Sequence, residues 1–352
     1  MDNIPSQGAA HQRMEWLDAL RAYAIILVLI GHKTNNIYFE QVIYSFHVPL
    51  FFWISGFVFD HSRYPDLKSI IIKKFRVLLL PYFIFSFLSF AFWLVIVRSF
   101  SARGLALLLD PLVPFWGIFY GVGVEPWGNP INITLWFLPC LFVTDVLFWF
   151  VNNYFQNLTK IVVVAAIGIF GFFLSLLTTF RLPWSADVAL VAMIFYYLGN
   201  MTRSFKQSLV TFPTVWKFSI LLLLVSLTLL FSKINGKADM NYNHYGNVFW
   251  FLIASFSGIY FSYLLFRMLP PSKILSYIGK STIIIVGLVG IASFILHGLV
   301  FIIFRTLPSR TKLDLPFTLL FSFLEIVLIV PAIYFINKFL PFVIGREKNL
   351  KK

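Results

Sequence analysis

Runs of about 20 mostly apolar residues recur along this chain, and short polar segments separate them. A run of that length predicts a membrane-spanning helix. The pattern predicts about ten spans, at 17–31, 42–59, 77–97, 133–151, 161–180, 184–201, 215–232, 247–269, 282–304 and 315–340. The second and sixth are short and carry polar residues, so they are expected to face the interior of a bundle. The stretch 104–123 is apolar too, but Pro111, Pro114, Gly117, Gly121 and Gly123 interrupt it. It reads as a re-entrant or interfacial segment, which a bilayer tolerates only where protein or water covers the backbone. The first run lacks a convincing small-residue cleavage site and is expected to be a retained span, not a signal peptide. The expected fold is therefore all-α, a polytopic membrane bundle. A polar cytoplasmic segment, 1–16, carries His11, Arg13 and Glu15; one transmembrane domain occupies 17–340 and a basic cytoplasmic tail 341–352. No internal repeat is visible, and the paired interrupted helices of inverted-repeat transporters are missing.

Composition agrees with the pattern. Of 352 residues 59% are hydrophobic and only 12% charged, against about 25% charged in soluble domains. The net charge of +14 would suggest nucleic acid in a soluble protein. Here the cations gather between apolar runs, as the positive-inside rule describes, so no nucleic-acid partner is expected. Arg63, Lys68, Lys73, Lys74 and Arg76 crowd one loop, and Lys338, Arg346, Lys348, Lys351 and Lys352 the C-terminal end. This asymmetry puts both termini in the cytoplasm and makes the expected location a multi-pass position in the cell membrane. Cys140 is the lone cysteine, so neither a disulfide nor a Cys-rich metal site is expected, and no metal is assigned.

Ionisable residues inside spans are costly and mark candidate sites. Arg21 and His32 are eleven positions apart, which at 100° per residue returns them to one face, about 16 Å apart along the axis. Asp18 precedes Arg21 by three and can pair with it. One stripe of the first span thus carries an acid–base pair near its inner end and an imidazole at its outer end. His47 lies in the second span, and a tight hairpin would bring it to the depth of His32. Two such imidazoles can divide general-base and orienting roles.

These residues carry a resemblance. Leu17 to His32, with its Arg, ten residues and His, resembles the opening of the membrane acyltransferase-3 family. The segment Ser45 to Phe57 is similar to a signature of that family's fucose O-acetylase-like branch. Lys73-Lys74-Phe75-Arg76 before Pro81-Tyr82 resembles its basic motif, with lysine first where arginine is usual. That exchange keeps the charge and loses the bidentate fork. Leu135 to Pro139 is similar to its Trp-Phe-Leu motif, and Ile278-Gly279-Lys280-Ser281 to a late Gly-Lys-Ser-type turn.

The resemblance implies an O-acyltransferase with acyl-CoA, usually acetyl-CoA, as donor substrate and no permanently bound cofactor. The acceptor it implies is a hydroxyl of an extracytoplasmic sugar, polysaccharide or lipid-linked precursor. Lys73, Lys74, Arg76 and Lys280 are then expected to hold the CoA phosphates, which need a basic cytoplasmic clamp. Ordinary positive-inside charge against anionic lipid is the competing account of the same lysines. Arg21, oriented by Asp18, would hold the pantetheine arm or stabilise charge near the thioester. His32 would act as general base, and His47 would bind the acceptor or support His32. Direct transfer and an acyl-histidine intermediate both stay open.

Trp116, Tyr120, Glu125, Trp127 and Asp187 are expected to bind the acceptor sugar, since aromatic faces beside carboxylates hold sugars. Interfacial Trp and Tyr are also routine, and Asp187 also fits a helix cap. The outer loop bearing Tyr242, His244 and Tyr245 is a second acceptor candidate. Glu325 and His297 either line the cavity or pair with each other, and Asp145 neutralises Arg21 or Lys74. A transporter or flippase of lipid-linked saccharides would use Arg21, His32 and Glu325 without acetyl-CoA. A non-catalytic partner of glycan-assembly proteins would tolerate loss of its histidines.

Overall fold

The computed structural model describes residues 14–100, 109–204, 213–304 and 313–346. Residues 1–13, the first part of the 104–123 stretch, and Lys348, Lys351 and Lys352 lie outside the described residues. Among the described residues the chain is helical, with only two isolated β-bridges, Thr34 to Leu313 and Asp239 to His244.

The helices are α1 (Glu15–Lys33), α2 (Ile37–Val58), α3 (Leu67–Val97), α4 (Leu112–Tyr120), α5 (Ile133–Tyr154) and α6 (Asn157–Leu177). They continue with α7 (Ala186–Ser204), α8 (Thr214–Asn235), α9 (Val248–Met268), α10 (Lys273–Lys280), α11 (Thr282–Phe304) and α12 (Leu315–Phe339). Among the described residues 8 helices are long and apolar enough to cross a membrane. The two further long helices at expected span positions, α1 and α7, have 19 residues each and are more polar. Both lie inside the bundle. In α7, Val188, Ala189, Val191, Ala192, Met193, Phe195 and Tyr196 are all 0% exposed, and no described residue between Ala186 and Arg203 is fully exposed, so protein covers most of the helix. A helix shielded from lipid can carry the Asp, Asn and Arg residues that a lipid-facing helix cannot.

Three elements differ from the expected pattern. The third span starts at Leu67 rather than 77, because its basic segment is itself helical. Asp66 caps it, accepting from Ser69 N at 2.6 Å, while Ser69 Oγ accepts from Asp66 N. Further on, Pro81 has no N–H to give, and the preceding turn Phe75–Leu79 widens so that the Leu80 amide reaches the Phe75 carbonyl. The expected turn at Ile278 to Ser281 is instead the end of α10, an eight-residue helix capped by Ser272. Within 104–123, the described part forms the nine-residue helix α4, which ends at Gly121.

Close backbone contacts set the positions of the site. Helices α2 and α7 meet where a β-carbon on Gly56 would strike the Tyr196 carbonyl and one on Gly199 the Trp53 carbonyl. Small residues on both sides let the two backbones touch, the usual device of helix pairs in lipid. Helix α10 rests on α1 in the same way, with Gly279 against the Asp18 backbone.

Candidate functional site

The polar stripe of α1 faces a cavity of about 350 Å³. Arg21, Ile25, Val28 and His32, one per helical turn, all line it. At its Arg21 end the wall includes Lys74, Lys280 and Arg346, and toward His32 it includes His47, Phe51, Phe137 and Leu138. The cavity is therefore basic at one end, apolar along its length and imidazole-lined at the other. A second cavity of about 400 Å³ lies beyond His32, walled by Lys33, Glu40, Tyr44, Lys237, Asp239 and Tyr242 among others. His32 and Thr134 line both cavities.

At the basic end, Arg21 Nη1 donates to Asp18 Oδ1 at 3.1 Å, with Asp18 buried and Arg21 30% exposed. Lys74 Nζ donates to Asp145 Oδ1 at 2.7 Å, and Tyr196 Oη to the same oxygen at 2.5 Å. Asp145 thus neutralises Lys74. Arg346 was expected only as tail charge. The turn Pro341–Ile344 packs Val343 and Ile344 into the core and brings Arg346 to the cavity wall. There it donates to Asn337 Oδ1 and to the Lys280 carbonyl at 2.8 and 3.0 Å.

The other two expected clamp residues stand elsewhere. Lys73 lines neither cavity: its Nζ donates to the Arg63 carbonyl at 2.7 Å and sits over the Tyr64 ring. Arg76 lines neither cavity and is exposed. On this helix neighbouring residues face different ways, so the basic run divides between the cavity and the outside.

At the far end, Tyr44 stands between the two imidazoles. Its Oη is 3.2 Å from His32 Nδ1, and its ring packs edge-on against both histidines. His47 is buried and its Nδ1 lies 2.7 Å from the Ile43 carbonyl. A carbonyl only accepts, so Nδ1 carries the proton and Nε2 is an acceptor in the neutral ring.

The second cavity has a charged rim that the sequence reading missed. Lys237 Nζ bridges Glu40 Oε1 at 3.0 Å and Asp239 Oδ2 at 3.5 Å and lies 4.3 Å above the Tyr44 ring. Burial opposes the Lys237 charge, yet Glu40 and Asp239 outweigh it and hold the ammonium above its ordinary range. Burial is the larger influence on Asp239 and lifts its carboxyl above the usual carboxylate range despite Lys237. A lysine in a loop expected on the outer side, against the positive-inside trend, was the available sequence signal. Asn132, beside Thr134, fixes this wall by donating to the Val286 and Gly287 carbonyls at 2.9 and 2.8 Å.

The residues expected to bind the acceptor line neither cavity. Asp187 is wholly buried and paired with Arg181, whose Nε lies 2.5 Å from Oδ2. Arg181 also donates to the Asn241 carbonyl, so this pair fastens the loop between α8 and α9 to α7. Tyr120 Oη donates to the Arg181 carbonyl at 2.6 Å, and its ring packs on Trp127. Trp116 and Glu125 are exposed. Of the second acceptor region, Tyr242 lines the second cavity, while Tyr245 is buried in the core and donates to Asn243. Glu325 pairs with Lys33, and His297 sits 2.7 Å from the Ser293 carbonyl and against the Phe321 ring, so these two do not pair with each other. Among the described residues no cluster of His, Cys, Asp and Glu could hold a metal ion.

A family profile described as an acyltransferase domain matches residues 14–337. No curated protein and no solved structure matches the chain.

Proposed function

The chain belongs to the acyltransferase-3 family, and from that premise we propose that it carries an acetyl or similar small acyl group from cytoplasmic acyl-CoA to a hydroxyl of an extracytoplasmic glycan or its lipid-linked precursor. The observation that carries this reading is that His32 lines both cavities at once. A single imidazole so placed reaches a thioester on one side and a hydroxyl on the other.

The donor enters by the basic end. Arg21, Lys74, Lys280 and Arg346 give its phosphates charge-assisted partners. The apolar stretch along Ile25, Val28 and Phe51 then takes the pantetheine arm. Arg21 is about 16 Å from His32 along the helix. It therefore holds the arm or the phosphates and lies too far away to stabilise charge at the reacting carbon. His47 Nε2 accepts a hydrogen bond from an amide N–H of the arm.

Transfer is direct. The acceptor hydroxyl enters the second cavity and its oxygen attacks the thioester carbonyl, while His32 takes the hydroxyl proton. The tetrahedral intermediate collapses, the C–S bond breaks, and His32 returns the proton to the leaving sulfur. A C–O ester and free CoA thiol result, with no net proton released.

The test is transfer of label from acetyl-CoA to the surface glycan fraction by the purified, reconstituted protein, paired with mass spectrometry of glycans from cells with and without the gene. His32→Ala is expected to abolish label transfer and leave a folded protein. Full acetylation by that variant defeats the assignment. Saccharide movement that proceeds without acetyl-CoA supports a flippase instead.

A further inference from the structure

We propose that Tyr44 is the positioning residue for His32, and that Lys237 seats Tyr44 from the second cavity. The inference rests on the acyl-transfer reading and extends it to groups that the α1 stripe does not contain.

A general base must present a lone pair to the hydroxyl it deprotonates. Tyr44 Oη lies 3.2 Å from His32 Nδ1. If the phenol donated to Nδ1, the ring would carry its proton on Nε2 and offer no lone pair there. If Nδ1–H donates to the phenol oxygen, Nε2 is the basic nitrogen. The second arrangement survives the reaction, because after proton uptake Nδ1–H still donates to the same oxygen. A hydroxyl oxygen thus serves both protonation states of the base, as the orienting carboxylate does in hydrolytic triads.

The phenol is itself held. Tyr44 is buried in α2 three residues before His47, and its ring makes edge contacts with both histidines at 6.0 and 5.0 Å between centroids. Lys237 lies 4.3 Å from its ring centroid, on the face of the second cavity. Glu40 and Asp239 fix that ammonium in turn. The chain of contacts runs from the acceptor cavity through Lys237 and Tyr44 to the base.

The test uses the full-length protein in proteoliposomes, labelled acetyl-CoA, and membranes from cells lacking the gene as acceptor source. Tyr44→Phe keeps the ring contacts and removes the hydroxyl. It is expected to lower the maximal transfer rate about 10- to 100-fold, the scale of a hydrogen bond to a charged group. The KM for acetyl-CoA is expected to stay unchanged, because the phosphate end of the donor site is remote. Lys237→Met is expected to lower the maximal rate about 5-fold, again at constant KM. A folded Tyr44→Phe protein working at the wild-type rate overturns the proposal, as does a rise in KM at constant rate. Should Tyr44→Phe not fold, Lys237→Met decides: the wild-type rate there overturns the proposal and a slowed one supports it. An inactive wild type, or an active His32→Ala, overturns the acyl-transfer reading itself and is distinct from either result.

Discussion

Lys33 Nζ lies 2.6 Å from Glu325 Oε2, and the carboxylate is wholly buried. The pair ties the C-terminal end of α1, one residue beyond His32, to the middle of α12. Removing one member leaves the other charge uncompensated in a low-dielectric interior. Glu325→Leu is expected to cost about 3–5 kcal/mol. The double variant Lys33→Met with Glu325→Leu is expected to recover most of that loss. Thermal unfolding of the purified variants in detergent checks both, and a double variant no more stable than the single one contradicts the account.

Gly56 and Gly199 each face the other helix's backbone, so the α2–α7 contact admits no side chain at either position. Gly56→Ala and Gly199→Ala are each expected to destabilise by about 1–3 kcal/mol through overpacking. One outward shift of the helices relieves both clashes, so the double variant is expected to cost less than the sum of the singles. Unfolding midpoints for the three proteins test this.

Neighbouring lysines have different surroundings. Lys74 lines the first cavity beside Asp145, and Lys73 bonds the Arg63 carbonyl outside it. Lys74→Met is expected to raise the KM for acyl-CoA about 10-fold, the scale of one charge-assisted contact. Lys73→Met is expected to leave it within about 2-fold. Lys280→Met and Arg346→Met are expected to behave like Lys74→Met. Initial rates against donor concentration separate them, and equal effects at positions 73 and 74 refute the division.

Asp60 stands in the loop after α2. Its hydrogen bond with Ser62 and the nearby Arg203 guanidinium hold its carboxyl below the ordinary carboxylate range, against the opposing pull of burial. A depressed folded pKa means that the unfolded chain takes up the proton more readily. The stabilisation is present above the unfolded value of about 3.9 and is lost as pH falls through the lower folded one. Asp60→Asn is expected to lower the melting temperature modestly at neutral pH, where the stabilisation is lost, and to flatten its fall below about pH 4. An unaltered acid limb in the variant contradicts this.

The bundle was legible because a bilayer demands long apolar runs and the sequence has them. The shared face of Arg21 and His32 followed from helix periodicity alone. The facing of Lys73 and Lys74 was not legible, because it depends on how the helix through the widened turn before Pro81 is rotated in the bundle. Arg346 looked like tail charge, since nothing local shows that Val343 and Ile344 dock in the core. Asp187 suggested sugar binding, yet its partner Arg181 sits six residues earlier in a non-helical connection that periodicity cannot resolve. Tyr44 was readable in part: it lies three residues before His47, on the same helix face. What the sequence could not show was the loop that lays Lys237 over it.

A membrane that stores an ion gradient cannot tolerate a continuous aqueous path through each copy of an enzyme. In this protein the His32 imidazole and the Thr134 side chain line both recesses. Under the proposed transfer across the bilayer, these two side chains would also insulate the membrane at that point. Side-chain volume at position 32 is under a constraint separate from basicity: a much smaller residue there is expected to let small ions leak as well as to stop acyl transfer.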